Sequence, residues 1–339
     1  MPRSRRLISL CAVALVLAAC ASSGAAGTGG SVPNAASPAG PGSGDPGTGA
    51  CATAPEPTDT TAWGPPATTP TLVPLLVTNN VVCGKARILF LYLDAAQKVA
   101  SAPDRTAKVS FYDLGRDPGK VVASVEGTFV WTIQNERGMY ILDVDLAEAG
   151  TWGAEFTTQA PGSTAETVRL TFDVQPSTPT VQVGQAAPAS KTPTLADVGG
   201  DVAKISTDPR PNAAFYQTSV ADALAAHKPF MLIFATPKFC TSAQCGPTLD
   251  RFKPIAAANP NVTFINVEPY QLHDVDGQLQ PVLDATNNLQ ATDVTTQWGL
   301  LSEPWIFAVD RAGIVRGSYE VTISDSELTT VLAEITAGG

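Results

Sequence analysis

The sequence is poor in charge, and most of the charge it has is negative. Of its 339 residues, 15% are charged, and 31 Asp and Glu against 21 Lys and Arg give a net charge of -10. A protein that binds nucleic-acid phosphates needs a basic face, and no stretch of this sequence supplies one. We therefore expect no nucleic-acid partner.

Histidine is scarce as well, with only His227 and His273 in the chain. Ser219-Val-Ala-Asp222 is a capping box, which predicts a helix that runs to about His227. At the end of this predicted helix, capping is the expected role of His227. His273 lies in the acidic stretch 272–276, which lacks the ordered spacing of a calcium loop. Copper bound by two thiolates usually needs a third ligand such as His. We therefore predict no metal site and no cofactor, with copper delivery as a lesser alternative.

The N-terminal apolar run is too short to span a bilayer as a mature helix. Arg3, Arg5 and Arg6 precede residues 7–17, and Leu17-Ala-Ala-Cys20 closes the run. This pattern is typical of a signal peptide, and its ending resembles the bacterial lipobox. We expect residues 1–19 to be removed and Cys20 to be lipidated, which anchors a bacterial protein to the extracytoplasmic face of the cell membrane. An ordinary soluble secretory signal is the alternative.

Cysteines are few, and each has an expected role. One leaves with the signal peptide and one is lipidated, so four remain, which allow three disulfide pairings outside the cytoplasm. We favour the two pairings that each lie within one predicted domain, the first of them as a structural staple. The pairs are Cys51–Cys83 and Cys240–Cys245.

Composition divides the rest of the chain into four segments. Residues 20–71 consist of Gly, Ala, Ser, Pro and Thr with almost no large side chain, which predicts a disordered tether in which Trp63 stands alone. Short β runs separated by turn residues fill 72–176, and a second Pro-, Thr- and Ala-rich stretch at 177–200 predicts a linker. From 201 to 339, strand and helix patterns alternate.

The pattern of residues 72–176 predicts an antiparallel β-sandwich. Seven β runs follow one another between residues 86 and 174, and Met139-Tyr-Ile-Leu-Asp-Val alternates apolar and more polar positions. The segment resembles immunoglobulin-like or fibronectin-like domains in its strand count. It contains no recognisable catalytic constellation.

The last segment is organised around two cysteines. The apolar run Pro229–Phe234 predicts a buried strand, and residues 248–258 have helical spacing, with Pro254 as a potential kink or end. Cys240 and Cys245 lie between them. A cysteine in that place is close to unpaired helix N–H groups, whose partial positive charge favours thiolate over thiol.

These residues resemble the thioredoxin family over roughly the last 130 residues. One match is the strand followed by Phe239-Cys240 and by Pro247 in the helix. The other is Trp298-Gly-Leu-Leu-Ser-Glu-Pro304. The resemblance implies a C-terminal α/β thioredoxin-like domain behind the N-terminal all-β, immunoglobulin-like sandwich. It also implies a cis-proline at Pro304, catalytic Cys240 and Cys245, and contacts to a protein substrate from Phe239, Glu303 and Trp305.

The sequence departs from the family in two respects. The pair is Cys-x-x-x-x-Cys, and in a continuous helix the two Cα atoms would lie ~9 Å apart, beyond the roughly 7 Å that a disulfide allows. Either Cys240 precedes the helix, or oxidation unwinds this turn. The strand 230–234 also lacks the family's buried acid. Glu303 is a possible substitute that would disfavour the thiolate, whereas Lys238 would favour it.

The leading hypothesis is a membrane-anchored thiol-disulfide oxidoreductase with a protein thiol or disulfide partner. In it, Cys240 forms a mixed disulfide and Cys245 resolves it. The alternative from another class is a redox-inert binding module in which Cys240–Cys245 is structural and the sandwich does the recognition. A thiol peroxidase is a lesser alternative, because one peroxiredoxin branch also uses Cys-x-x-x-x-Cys, although no activating arginine can be placed from the sequence.

Overall fold

Alternation of apolar and polar residues builds the first half of the structure, a computed structural model that describes residues 51–64, 66 and 69–337. The predicted signal peptide, Cys20 and most of the predicted tether lie outside the described residues. Nine strands form two sheets, where the sequence predicted seven strands. The first sheet has the order β1-β3-β7-β6 and the second β2-β9-β8-β4-β5. Their bounds are β1 Leu72–Leu76, β2 Val81–Val82, β3 Gly84–Asp94, β4 Thr106–Asp113, β5 Ala123–Glu126, β6 Thr128–Ile133, β7 Arg137–Leu146, β8 Gly150–Gln159 and β9 Glu166–Gln175.

The two sheets share one apolar core, so residues 72–175 form a sandwich, the name used below. Phe90 and Tyr140 of the first sheet meet Phe156 of the second, with the Phe90 and Phe156 ring centroids 5.1 Å apart. Each such side chain stabilises the fold by roughly 1.5 to 3 kcal/mol when it is fully buried. Trp152 lies in the same core and is 1% exposed.

The chain before β1 packs on the sandwich. The predicted disulfide Cys51–Cys83 is confirmed, with the two Cα atoms 6.3 Å apart. Trp63 is 5% exposed and packs edge-on against Tyr112 at 4.8 Å between ring centroids. The folded part of the chain therefore begins well before residue 72.

A central apolar strand organises the second half of the structure. The four-stranded sheet has the order β11-β10-β14-β15, in which β10 runs parallel to β11 and antiparallel to β14. A separate antiparallel hairpin joins β12 and β13. The bounds are β10 Phe230–Phe234, β11 Thr263–Val267, β12 Leu272–Val275, β13 Gln278–Pro281, β14 Trp305–Val309 and β15 Val315–Glu320.

Strand β10 is buried on both faces, as its unbroken apolar sequence predicts. Met231 and Ile233 belong to one core cluster, which also contains Cys245 and Phe252. Phe230, Leu232 and Phe234 belong to the other, which contains Trp298. The helices are α1 Val220–Ala225, α2 Cys245–Ala258, α3 Asp293–Gln297 and α4 Asp325–Ala337.

Helix α1 begins at the predicted cap but is shorter than the sequence predicts. Ser219 Oγ accepts a hydrogen bond from the backbone N–H of Asp222 at 3.1 Å, which is the predicted cap. The helix has only six residues. It ends before His227, whose φ of 49° lies in the left-handed region.

The predicted fold class is wrong. Helices make up only 18% of the structure, so the fold is β-rich, and a C-terminal α/β domain of the thioredoxin type is not supported. The C-terminal helices have 6, 14, 5 and 13 residues. The polar stretch after β11 forms a β hairpin and isolated bridges, and 3-10 turns occupy much of 196–216. Asp, Asn, Gly and Pro favour such turns over helices.

The predicted linker and the two halves are tied together, and the described residues belong to one compact unit. Within 177–200, the N–H of Ala187 bonds to Gly313 O at 2.8 Å, and Gln185 O accepts from the N–H of Val315 at 2.9 Å. Across the halves, Arg87 Nε of β3 pairs with Glu327 Oε1 of α4 at 2.6 Å. The sandwich is therefore in direct contact with the C-terminal half.

Candidate disulfide site

The two cysteines flank a short loop between the end of β10 and the start of α2. Cys240 and Cys245 form the predicted disulfide, with Cα atoms 6.1 Å apart. Helix α2 begins at Cys245, so Cys240 precedes the helix and residues 241–244 fold back between the sulfurs. We call these four residues the disulfide loop. Of the two geometries left open by the sequence, the structure has the first.

The two sulfur atoms have different environments. Cys245 is 0% exposed and belongs to the core cluster beneath β10. Cys240 packs only partly against that cluster and remains half-buried. Of the two cysteines, Cys240 alone is partly accessible from outside the fold.

Polar groups surround the sulfur atom of the half-buried Cys240. The backbone N–H of Cys245, the first residue of α2, lies 3.3 Å from Cys240 Sγ. The hydroxyl of Ser242 lies 3.3 Å from the same sulfur. A helix N-terminus carries partial positive charge, and α2 has 14 residues. These donors favour a negatively charged sulfur at Cys240 once the bond is reduced.

The sandwich holds the disulfide loop on its outer side. Arg137 Nη1 at the start of β7 donates to Ser242 O at 2.6 Å. Gln244, which is 2% exposed, donates through Nε2 to Thr132 O of β6 at 3.3 Å. Ala243 between them has a φ of 58°, a left-handed conformation that is unfavourable for a residue with a Cβ. No local pattern in the sequence predicts these contacts, because the partners lie 105 and 112 residues apart.

Glu303 and Pro304 lie on the other side of the loop. The Glu303–Pro304 peptide bond is cis. Ser242 Oγ lies 3.5 Å from Glu303 O, and Tyr270 donates its hydroxyl to Glu303 Oε2 at 2.5 Å. Burial raises the pKa of Glu303, and the hydrogen bond from Tyr270 acts in the opposite direction. The structure thus brings Cys240, Cys245, Glu303 and Pro304 together, while their roles stay predictions.

The other residues predicted to contact substrate lie in different places. Phe239 is half-buried in the turn before Cys240, and the Lys238 ammonium lies 5.4 Å from the centre of its ring. Lys238 Nζ also donates to Leu279 O of β13 at 2.9 Å, so the hairpin holds it. Trp305 packs with the cluster on the far face of the sheet from Cys245. Trp305 is therefore not beside the disulfide.

A buried acid, Glu268, lies near the turn before Cys240, and it is not among the site residues predicted from the sequence. Glu268 follows β11 and is 8% exposed. Thr207 donates to its carboxylate from N–H at 2.6 Å and from Oγ1 at 2.7 Å, and the same hydroxyl accepts from the N–H of Lys238 at 3.3 Å. Burial raises the pKa of Glu268 to about 7, although hydrogen bonds from Thr236 and Thr207 oppose the shift. Its position directly after the apolar stretch 262–267 was the available signal.

The described part of the chain holds no cluster of three or more His, Cys, Asp or Glu side chains placed to bind a metal. His227 Nδ1 lies 3.3 Å from Arg311 O, and His273 is exposed on β12. Neither histidine contacts the disulfide loop.

None of the helices within 51–337 that the structure describes combines the length and the apolar character needed to cross a bilayer.

Comparison with known proteins adds little. No protein family and no curated protein matches the chain. Among solved structures, a conjugative transposon lipoprotein from Bacteroides eggerthii DSM 20697 is similar at 12% identity and a TM-score of 0.18, over 31% of this chain and 96% of that one. Trypsin-activated alpha-2-macroglobulin from Escherichia coli is similar at 12% identity and a TM-score of 0.21, over 80% of this chain and 17% of that one. Neither likeness is close enough to carry an argument about fold or function.

Proposed function

We propose that this protein exchanges disulfides with a protein thiol or disulfide partner through Cys240 and Cys245. The observation that carries the proposal is the asymmetry of the pair. One sulfur is half-buried beside a helix N–H and a hydroxyl, and the other is wholly buried. Exchange needs one accessible sulfur to react with the partner and a second, protected sulfur to resolve the mixed disulfide.

In the reducing direction, the Cys240 thiolate attacks one sulfur of the partner's disulfide. A bond forms between Cys240 Sγ and that sulfur, and the partner's other sulfur leaves as a thiolate and takes up a proton. Cys245 then loses its proton and attacks Cys240 Sγ, which releases the second partner sulfur. Two electrons pass to the partner and the Cys240–Cys245 bond is restored. The same steps in reverse oxidise a partner dithiol.

We place this chemistry outside the cytoplasm, on a lipid anchor at Cys20. The signal-like sequence before Cys20 supports the anchor. The two disulfides support an oxidising compartment, because such bonds seldom persist in the cytoplasm. Glu303 and Pro304, beside the loop, are the proposed contacts for an extended segment of the partner, together with Phe239.

Insulin reduction by the full chain tests the proposal, with a dithiol as the source of electrons. We expect the wild-type protein and Cys83→Ser to catalyse the reaction, whereas Cys240→Ser and Cys245→Ser do not complete it. The Cys83→Ser variant is the matched control, because it removes a disulfide that has no part in exchange. Equal activity in all four proteins would contradict the proposal.

One observation favours a second candidate function, a binding module with a structural Cys240–Cys245 bond. Cys245 packs in the core, and two hydrogen bonds between the sandwich and the loop, one donated by Arg137 and one donated by Gln244, hold the loop in place. A bond kept for stability alone would have such surroundings. In that case Cys240→Ser would lower the stability of the protein, and the wild type itself would show no exchange.

A further inference from the structure

The contact between the sandwich and the disulfide loop is a direct link between the two halves of the protein at the redox-active bond. Arg137 Nη1 donates to Ser242 O at 2.6 Å, and the hydroxyl of Ser242 is 3.3 Å from Cys240 Sγ. One residue, Ser242, thus connects the guanidinium group to the sulfur atom of Cys240.

The part of the sandwich that makes this contact is itself braced. Strands β6 and β7 are joined by the tight turn 134–136, in which Asn135 has a φ of 58°. Thr132 Oγ1 donates across the turn to Arg137 O at 3.1 Å. The two groups that hold the loop, Arg137 Nη1 and Thr132 O, therefore sit on one short hairpin that the antiparallel pairing of β6 and β7 keeps in place.

Arg137 differs from most arginines of the described residues in its charge balance. Six of them form ion pairs with carboxylates, namely Arg87, Arg116, Arg169, Arg210, Arg251 and Arg316. Arg137 has no carboxylate within 4.0 Å among the described residues, and it is half-buried. Its positive charge is therefore not neutralised locally. Charge that is partly shielded from water acts more strongly on a neighbouring ionisable group.

Other charged or ionisable groups also surround Cys240, and each of them has a hydrogen-bond partner of its own. The Lys238 ammonium is directed to Leu279 O on the hairpin β12–β13. The Glu303 carboxylate, on the segment before β14, accepts hydrogen bonds from the Tyr270 hydroxyl and from the backbone N–H of Thr241 in the loop; burial raises its pKa, and both hydrogen bonds oppose that shift. Glu268, after β11, is separated from the loop by Thr207. Arg137 is the group that the sandwich adds to this set.

We propose that Arg137 is a positioning residue for the exchange reaction of Cys240. It fixes the disulfide loop through the Ser242 carbonyl, and its positive charge stabilises the Cys240 thiolate after reduction. This inference rests on the proposed function, and it gives the sandwich a part in the chemistry: the sandwich completes the site and does not only support it.

The test is the pH dependence of iodoacetamide alkylation at Cys240 in the full chain. A strong reductant first opens the disulfides, and mass spectrometry of the Cys240 peptide then follows the rate. In Arg137→Gln we expect the pH of half-maximal rate to rise by about one unit, with a several-fold slower reaction near neutral pH. Arg137→Lys keeps the charge and restores most of the rate. Arg137→Met serves as a second charge-removing variant if Arg137→Gln folds poorly.

Arg87→Gln is the matched control, because it removes the same charge and another tie between the two halves, one made to Glu327 and to Thr322 O and not to the disulfide loop. It should leave the alkylation profile unchanged. An identical profile in wild type, Arg137→Gln and Arg137→Met would overturn the inference, and so would an equal shift in Arg87→Gln.

The two proposals fail in distinguishable ways. If the wild type reduces insulin and Arg137→Gln matches it in both rate and alkylation profile, the inference about Arg137 is wrong and the proposed function stands. If the wild type exchanges no disulfide, the proposed function is wrong. The alkylation profile after forced reduction still decides whether Arg137 acts on Cys240.

Discussion

The two disulfides of this protein have similar Cα separations, 6.3 and 6.1 Å, and very different surroundings. Cys51–Cys83 joins segments 32 residues apart, and its neighbours are backbone groups, such as the N–H of Cys83 bonded to Gln175 O at 3.1 Å. Cys240–Cys245 spans 5 residues at the start of a helix. The first constrains the unfolded chain strongly, whereas the second places a sulfur among hydrogen-bond donors. The surroundings of Cys51–Cys83 fit a bond that stabilises the fold, and those of Cys240–Cys245 fit the proposed disulfide exchange.

The largest effect should come from removing the buried sulfur of the second pair. In Cys245→Ser, the mixed disulfide between Cys240 and a partner cannot be resolved, so it should accumulate as a covalent complex visible on a non-reducing gel. Cys51→Ser should trap nothing through Cys240, because the Cys240–Cys245 pair stays intact. Complexes of equal abundance in both variants would erase the distinction between the two bonds.

The next effect concerns the free energy of unfolding, and here removal of the first disulfide, Cys51–Cys83, should have the larger effect. The chain-entropy relation gives about 4 kcal/mol for the Cys51–Cys83 bond and about 2 kcal/mol for the Cys240–Cys245 bond. The double variant Cys51→Ser/Cys83→Ser should therefore lose more unfolding free energy than Cys240→Ser/Cys245→Ser. Urea denaturation at fixed pH measures both losses. A larger loss from the second pair would favour a structural role for that bond.

Glu268 gives the surroundings of the second disulfide a pH dependence. Its pKa is raised to about 7 in the folded protein, above that of an unfolded Glu, so the folded state binds the proton more tightly. The contribution of Glu268 to the free energy of unfolding should be fully present below about pH 4.5 and should be lost as the pH rises through about 7. We expect the free energy of unfolding of Glu268→Gln to exceed that of the wild type by up to about 3 kcal/mol at pH 8 and by almost nothing at pH 4. Thermal unfolding across this range measures the difference.

Glu327 provides the control of opposite sign and the smallest expected effect. Burial would raise the pKa of Glu327, but the ion pair with Arg87 and hydrogen bonds from Ser324 hold it below its usual value. Its contribution is present above the unfolded pKa and is lost as the pH falls through the folded pKa. Glu327→Gln should cost about 1 to 2 kcal/mol at pH 7 and little at pH 3. An equal cost at both pH values would show that the charge contributes nothing.

The sequence indicated those features that depend on local pattern. The buried strand β10, the cap at Ser219 and the Cys240–Cys245 pairing follow from residues close to one another in the chain, and the Cys51–Cys83 pairing follows from the position of Cys51 just ahead of the first folded domain. The position of Cys240 ahead of the helix was one of two stated alternatives. The strand and the cap rest on periodicity and capping chemistry, which act over a few residues, whereas the two pairings rest on where the cysteines stand relative to the predicted domains.

The features that the sequence did not indicate depend on contacts between distant segments. No local pattern distinguishes Arg137 from any other arginine in a hairpin, and its partner Ser242 is 105 residues away. The fold class was misjudged because strand and helix patterns alternate after residue 201, while two of the helices stop after six and five residues. Trp305 follows Pro304 directly, yet the period of two along β14 turns it to the other face of the sheet.

The measurement that tests the central claim most directly is a redox titration of both disulfides in one sample of the full chain. Glutathione buffers of increasing reducing strength are equilibrated with the protein, and mass spectrometry counts the free thiols at each cysteine. We expect a two-electron transition of Cys240–Cys245 within the range of known exchange proteins, while Cys51–Cys83 remains oxidised. If Cys240–Cys245 stays oxidised in every buffer, as Cys51–Cys83 does, the two disulfides behave alike and the proposed exchange at Cys240 is wrong.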